Sequence, residues 1–366
     1  MPASSGALVV VVVHSITDDL RITGQRALLA PAILFEELPA DEAVQRFVAQ
    51  SRRTTEAILT GADDRLLVVV GPCSVHDPEA ALDYARQLQP VAARLAPELF
   101  VVMRVYFEKP RTIGGWKGLI NDPDLDGSFK INKGLRLARR LLLDVTRTGL
   151  PAGTEFLDTI FGQYFADLVT WGGIGARTTE SQVHRELASG LSMPVGFKNR
   201  TDGDVQVAID ALRAARLPHW FPSLTKEGAP AILSTSGNPH AHLVLRGGAR
   251  SGPNFGIAAV TAALTALTSA GLPPAVMIDC SHGNSGKDPA KQPQVAAALA
   301  EQIAAGQRGI VGAMLESHLV GGRQELGPLS ALAYGKSVTD GCLSFADTLP
   351  VLDTLAAAVR QRRRVS

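Results

Sequence analysis

The chain has 366 residues, 46% of them hydrophobic and 19% charged, with a formal net charge of +1. That composition excludes disorder over most of the length, and near-neutrality removes any general reason to expect nucleic acid or an anionic membrane as a partner. The three cysteines, Cys73, Cys280 and Cys342, are an odd number with no export signal ahead of them, so reduced thiols and a cytoplasmic location are expected.

From the N-terminus, residues 8–13 hold five consecutive valines. The run is far too short to cross a membrane and reads as a β-strand; an exposed strand of that kind seeks a partner, so a homo-oligomer, dimer or tetramer, is expected. A polar stretch at 17–21 and helical periodicity at 43–59 complete an N-terminal extension over residues 1–60, assigned to oligomerisation and regulation. Residues 61–366 form the catalytic unit.

Within that unit, eight short apolar runs occupy residues 66–70, 101–103, 150–154, 174–176, 194–197, 243–245, 276–278 and 310–315. Each stops at, or a few residues before, a side chain able to bind an anion or a metal. In order these are Cys73, Arg104, Glu155, Arg177, Lys198, Arg246, Asp279 with His282, and Glu316. Helical periodicity fills the gaps at 78–95, 134–146, 162–170, 181–188, 205–215, 257–269 and 289–303. Strand followed by helix, repeated, predicts a parallel sheet, and this series predicts a (β/α)8 TIM barrel whose C-terminal mouth collects the chemistry; such a barrel takes ~250 residues. Residues 218–224 and 231–234 break the alternation and read as an inserted β-hairpin at about 218–236. Residues 106–133, rich in Gly, Pro, Asn and Asp, form a long loop at the mouth, where long ordered loops carry function. The basic tail at 360–364 reads as a solvated helix end.

Arg104, Lys109, Arg111, Arg177, Lys198 and Arg246 place six cations on one face of a nearly neutral chain. Like charges ~4 Å apart repel by about 4 kcal/mol at a partly screened dielectric, so a strongly anionic ligand is expected there. Pairing with carboxylates is the simpler account of any one arginine, but Glu155, Asp279 and Glu316 are too few for six. The string Lys109-Pro110-Arg111-Thr112 sets two cations and a hydroxyl around a proline, a weak motif that suits a phosphate. No nucleotide-binding glycine pattern is present. Cys73, His282, Glu316 and Asp340 offer one sulfur, one nitrogen and two carboxylates, a mixed set that suits a divalent transition metal; a buried structural cysteine and a satisfied histidine are the bland alternative.

The chain resembles the type I 3-deoxy-D-arabino-heptulosonate 7-phosphate (DAHP) synthases of the short microbial and yeast class. The resemblance runs from about Asp18 to Arg364. It rests on Gly71-Pro72-Cys73-Ser74-Val75-His76-Asp77-Pro78, on Met103-Arg104-Val105-Tyr106-Phe107-Glu108-Lys109-Pro110-Arg111-Thr112, and on Gly175-Ala176-Arg177-Thr178-Thr179-Glu180-Ser181. Gly196-Phe197-Lys198-Asn199, Leu245-Arg246-Gly247-Gly248 and Asp279-Cys280-Ser281-His282 extend it.

The resemblance implies 3-deoxy-7-phosphoheptulonate synthase activity, a transferase reaction that condenses phosphoenolpyruvate with erythrose 4-phosphate at the entry to the shikimate pathway of chorismate and aromatic amino acid biosynthesis. It implies that Arg177, Arg246 and the amide of Ala176 hold the enolpyruvate phosphate, with Glu155 nearby through water. Arg104, Lys109 and Lys198 would face its carboxylate. Lys109, Pro110, Arg111, Thr112 and Asp340 would bind the aldose phosphate, and Cys73, His282, Glu316 and Asp340 a divalent metal, with Mn, Fe, Co and Zn all acceptable. Lys109, Lys198 and Arg104 are the catalytic candidates, Lys109 as proton donor to the new alkoxide. It further implies an aromatic amino acid effector in a feedback pocket built from Gln163, Ser192, Phe221 and Ser223, with Asp19 in the Asp18-Asp19 stretch closing over it from another subunit. Two departures stand out: Asn199-Arg200 where the family usually has Asn-Gly, and Gly162 where it commonly has proline beside that pocket. The competing readings are an octulosonate 8-phosphate synthase-like enzyme, against which Lys109-Pro110-Arg111-Thr112 argues, and a non-catalytic metabolite-binding relative.

Overall fold

The computed structural model describes residues 17–111 and 113–365; the valine run and Thr112 lie outside the described residues. Helices α1 (Pro31–Glu37) and α2 (Glu42–Thr60) lead into β1 (Leu66–Gly71), α3 (Pro78–Leu95), β2 (Leu99–Arg104), α4 (Ile131–Arg147) and β3 (Ala152–Glu155). Then come α5 (Gly162–Phe165), β4 (Trp171–Ile174), α6 (Gln182–Gly190), β5 (Val195–Lys198) and α7 (Gln206–Ala215). The hairpin β6 (Trp220–Leu224) and β7 (Pro230–Ser234) precedes β8 (His242–Leu245), α8 (Ile257–Ser269), β9 (Val276–Asp279), α9 (Gln292–Ala304) and β10 (Ile310–His318). Short strands β11 (Val320–Arg323), β12 (Lys336–Ser337) and β13 (Leu343–Ser344) and the final helix α10 (Phe345–Arg362) complete the order.

Strands β1 to β5 and β8 to β10 pair in parallel in that sequence, and β1 pairs back onto β10, closing an eight-stranded barrel as expected. Parallel pairing on a sheet covered on both faces explains the continuous apolar runs. On β1, Leu66, Val68 and Val70 belong to the main core shared with the helices, whereas Leu67 and Val69 belong to an inner cluster with Val102, Trp171, Val244, Met277 and Met314. That period of two sorts wall from lumen. Ile58 and Leu59, at the end of α2, join the inner cluster, so α2 closes the end of the barrel opposite the mouth. Register then decides what meets at the mouth: Gly71 faces Glu316, Glu155 faces Gly173, and Asp279 faces Met314.

Local signals set several boundaries. Asp77 accepts the amides of Glu79 and Ala80 and Pro78 occupies the first turn, so α3 starts where its periodicity does. Elsewhere the structure corrects the sequence reading. Strand β4 occupies Trp171–Ile174 rather than 174–176, because two glycines masked its apolar character and the chain after Ile174 turns out of the sheet to deliver Arg177. The helix expected at 162–170 is a single turn, α5, followed by a 3-10 turn at Ala166–Leu168. The mouth loop ends before α4 begins at Ile131. The basic tail is not merely solvated: Arg362 is buried and Arg363 pairs with Asp64 at 2.6 Å, tying α10 to the base of the barrel. Among the described residues no helix is long and apolar enough to cross a membrane.

Candidate active site

Arg104, Lys109, Arg111, Arg177, Lys198 and Arg246 all line one cavity of about 920 Å³ at the mouth, together with Pro110, Glu155, Ala176, His282 and Asp340. Arg104, Glu155 and Lys198 end strands β2, β3 and β5, and Arg246 follows β8 directly. The loop behind Arg246 is held by a buried amide network. The Arg246 amide donates to Oδ1 of Asn199 at 2.8 Å, and the Gly247 amide donates to Oδ1 of Asn254 at 2.7 Å. Gly247 has φ +70, and a Cβ there would lie 2.5 Å from the backbone of Gly283, so only glycine fits.

Three of the six cations are paired. Arg104 is buried, bonds the carbonyls of Pro72 and Cys73, pairs with Glu316 at 2.9 Å and stacks its guanidinium 3.6 Å from the centre of the Tyr106 ring. Lys198 lies 3.0 Å from Asp279, and Lys109 lies 2.9 Å from Asp340. Among the described residues, Arg111, Arg177 and Arg246 make no ion pair with a carboxylate. Arg111 and Arg177 are exposed at the mouth, while the buried Nε of Arg246 and Oε1 of Glu155 have no hydrogen-bond partner. Carboxylate pairing therefore accounts for three of these six cations, and the other three face the cavity.

Donor atoms of Cys73, Glu316 and Asp340 lie within 4.8 Å of one another, a grouping able to hold a metal ion. His282 stands at its border: Nε2 is 3.8 Å from Oε1 of Glu316, and Nδ1 is 2.9 Å from Oδ2 of Asp279. The ammonium of Lys109 reaches into the trio, 2.8 Å from Sγ of Cys73. Burial pushes the Cys73 thiol up to about 11, with Glu316 adding to the effect and Lys109 opposing it. Burial also works against charge on Asp340, but Lys109 outweighs it and holds that carboxyl well below the usual range. Lys109 itself is raised, the cost of burial being exceeded by Cys73 and Asp340. A sulfur and two carboxylates already gathered around a cation suit a divalent transition metal.

Sequence reasoning assigned no role to three further cavity residues. Glu108 is buried, accepts the Asp158 amide at 3.3 Å, and is pushed up to about 8, mainly by burial. Lys287 and Lys291 line the cavity from the segment after His282. A charge on an irregular loop carries no periodicity, so only its nearness to a recognised motif could have flagged it. Thr112 lies outside the described residues.

A second cavity, of about 970 Å³, lies outside the barrel between α2, α5, α6 and the hairpin. Gln163, Ser192 and Phe221 line it, as does Gly162; Asp19 and Ser223 are not among its lining residues. Arg200, the other departure from the family pattern, pairs with Asp202 at 3.0 Å and with Glu180 at 3.5 Å.

The DAHP synthetase I family matches residues 44–352. The chain is 57% identical over 346 residues to the Phe-sensitive phospho-2-dehydro-3-deoxyheptonate aldolase of Escherichia coli strain K12, covering 94% of this chain and 98% of that one. It is 53% identical over 351 residues to the tyrosine-inhibited phospho-2-dehydro-3-deoxyheptonate aldolase of Schizosaccharomyces pombe, covering 95% and 94%. The solved structure of the phospho-2-dehydro-3-deoxyheptonate aldolase of Francisella tularensis SCHU S4 shares the fold with a TM-score of 0.91 at 53% identity, over 93% of this chain and 99% of that one.

Proposed function

The chain belongs to the DAHP synthetase I family, and we propose that its barrel mouth condenses phosphoenolpyruvate with erythrose 4-phosphate and water to give DAHP and inorganic phosphate, the first step of the shikimate pathway. The observation that carries this reading is the division of the cavity cations. Three are neutralised by carboxylates, and three arginines are left for two phosphate esters.

Arg177 and Arg246, with the amide of Ala176, hold the phosphate of the enol substrate; the charge of Arg177 already bears on Arg246, as it should where two guanidiniums serve one dianion. Glu155 approaches the same group through water. Lys198 and Lys109 face the carboxylate, with Arg104 behind them as a fixed positive charge. Arg111, with Pro110 and Thr112, takes the aldose phosphate. Anchoring both ends of two flexible substrates holds the enol carbon against the aldehyde, which removes much of the entropic barrier.

Cys73, Glu316 and Asp340, with His282 beside them, would hold a divalent transition metal, Mn, Fe, Co or Zn, which when bound supplies polarisation of the aldehyde carbonyl. Attack by the enol carbon forms the new carbon–carbon bond and converts the aldehyde oxygen to an alkoxide. Lys109, next to Asp340 and Cys73, gives that oxygen its proton. Water then adds to the cationic carbon of the former enol, and phosphate departs as the ketone forms. The test is phosphate release from phosphoenolpyruvate with erythrose 4-phosphate, run beside arabinose 5-phosphate.

The second cavity takes an aromatic amino acid, with Gln163, Ser192 and Phe221 in its wall. Relatives named for sensitivity to phenylalanine and for inhibition by tyrosine support the class of effector but differ on its member. Gly162 lacks the φ restraint of a proline, so ordering around an effector costs more here. The active form is a cytoplasmic homo-oligomer, with residues 1–60 contributing to assembly and regulation. Titration of the three aromatic amino acids against activity, with sedimentation at each, tests these statements.

A further inference from the structure

Asp279 closes β9 with its side chain fully buried, at a position that β-register fixes opposite Met314. Donor groups surround its carboxylate, Oδ1 through hydrogen bonds and Oδ2 through close charge contacts without an aligned hydrogen bond. Oδ1 accepts the amide of Ser281 at 3.0 Å and its hydroxyl at 2.6 Å; Oδ2 lies 3.0 Å from Nζ of Lys198 and 2.9 Å from Nδ1 of His282. One oxygen thus touches two residues that the proposed reaction uses for different purposes. Lys198 faces the enol substrate, and His282 turns its other nitrogen toward Glu316 in the metal grouping.

The imidazole is held in this attitude at some expense, since His282 has φ +54, a left-handed backbone that a non-glycine residue adopts only where its surroundings demand it. Its carbonyl accepts the Lys287 amide at 2.7 Å, which locks the turn. Both neighbours of Nδ1 are acceptors, Oδ2 of Asp279 at 2.9 Å and, at 2.7 Å, Oγ of Ser281, whose own proton goes to Oδ1 of Asp279, so Nδ1 keeps its proton and the Nε2 lone pair is left for a metal, the arrangement by which an outer carboxylate fixes the tautomer of a ligating histidine. An asparagine cannot reproduce this environment, because its amide NH2 would confront an N–H of Ser281, Lys198 or His282.

We propose that Asp279 is a positioning residue that ties Lys198 to His282, so that the affinity for the enol substrate and the affinity for the metal depend on one buried carboxylate. The inference rests on the substrate and metal reading above. It differs from simple charge compensation, which would require a negative neighbour for Lys198 but no contact with the imidazole.

The test uses the full-length protein and two equilibrium measurements: Zn²⁺ binding by competition with a chromophoric chelator, and phosphoenolpyruvate binding by equilibrium dialysis. Asp279→Asn is expected to weaken Zn²⁺ by roughly 10- to 100-fold, the usual effect of losing an outer-shell partner, and to weaken phosphoenolpyruvate in the same protein. Ser281→Ala, which removes the hydroxyl that bridges Oδ1 of Asp279 and Nδ1 of His282, keeps the test available if Asp279→Asn does not fold, and should weaken Zn²⁺ by a smaller factor. In ¹⁵N spectra of the metal-free protein, His282 should be the Nδ1–H tautomer in the parent chain and a mixture in the variants. Unchanged Zn²⁺ affinity in both variants, or a loss for Zn²⁺ with phosphoenolpyruvate binding unaltered in folded Asp279→Asn, would overturn the proposal. Failure of the parent chain to release phosphate would instead remove the catalytic reading and leave the Zn²⁺ and tautomer results to stand by themselves.

Discussion

Nζ of Lys109 lies 2.8 Å from Sγ of Cys73, where the anion-binding residues meet the metal grouping. The same ammonium is 2.9 Å from Asp340. A lysine so placed serves both halves of the site, and Lys109→Met should lower turnover by about 10²- to 10⁴-fold, the range for loss of a general acid. The initial rate of phosphate release checks this; retention of most of the turnover would remove Lys109 as proton donor.

The arginines without carboxylate partners should separate the two substrates. Arg246→Ala is expected to raise KM for phosphoenolpyruvate by roughly 10- to 100-fold, the worth of a hydrogen bond to a charged group, while changing KM for the aldose far less. Arg111→Ala should show the opposite pattern. Steady-state kinetics with each substrate varied in turn would expose an incorrect division if both variants affected both constants equally.

Gly175 passes close against Glu155, so that an added Cβ would collide with Oε1. Gly175→Ala should displace this carboxylate from the phosphate site and raise KM for phosphoenolpyruvate by roughly tenfold, taking about 1–3 kcal/mol for the steric shift. The thermal midpoint should fall only modestly. An unchanged KM would show that Glu155 takes no part in seating the phosphate.

Glu108 gives a pH dependence with a definite sign. Burial pushes its carboxyl up to about 8, whereas in an unfolded chain it ionises at about 4.3. Between those values the folded protein keeps a proton that the unfolded chain has lost, so this contribution to stability is complete below the lower value and disappears as pH rises through the upper one. Urea midpoints of the parent chain should therefore fall between pH 5.5 and pH 8.5, and Glu108→Gln should reduce that fall. Equal slopes in the two proteins would contradict it.

Much of this site was legible in the sequence because the barrel makes it so. Parallel strands covered on both faces must be continuously apolar, and a charged residue ending such a run is conspicuous; Arg104, Glu155, Lys198, Asp279 and Glu316 were found in this way. Strand β4 was misplaced because Trp171-Gly172-Gly173-Ile174 contains only two large apolar residues, its bulk being supplied by Trp171 packing into the lumen. The ion pairs were not legible at all: Arg104 and Glu316 are 212 residues apart and meet only through closure of the barrel. Of the three carboxylates weighed against the six cations, Glu316 and Asp279 pair with Arg104 and Lys198, Glu155 pairs with none, and Lys109 takes Asp340 instead. Glu108 and Lys287 sit on loops and Lys291 in a single 3-10 turn, where no period marks a functional residue.

The most direct test of the whole account is phosphate release from phosphoenolpyruvate and erythrose 4-phosphate by protein stripped with a chelator, before and after single divalent metals are restored. Activity absent after stripping, regained with Mn, Fe, Co or Zn, and much weaker with arabinose 5-phosphate is the expected result. Full activity in the stripped protein, or equal rates with the two aldoses, would contradict it.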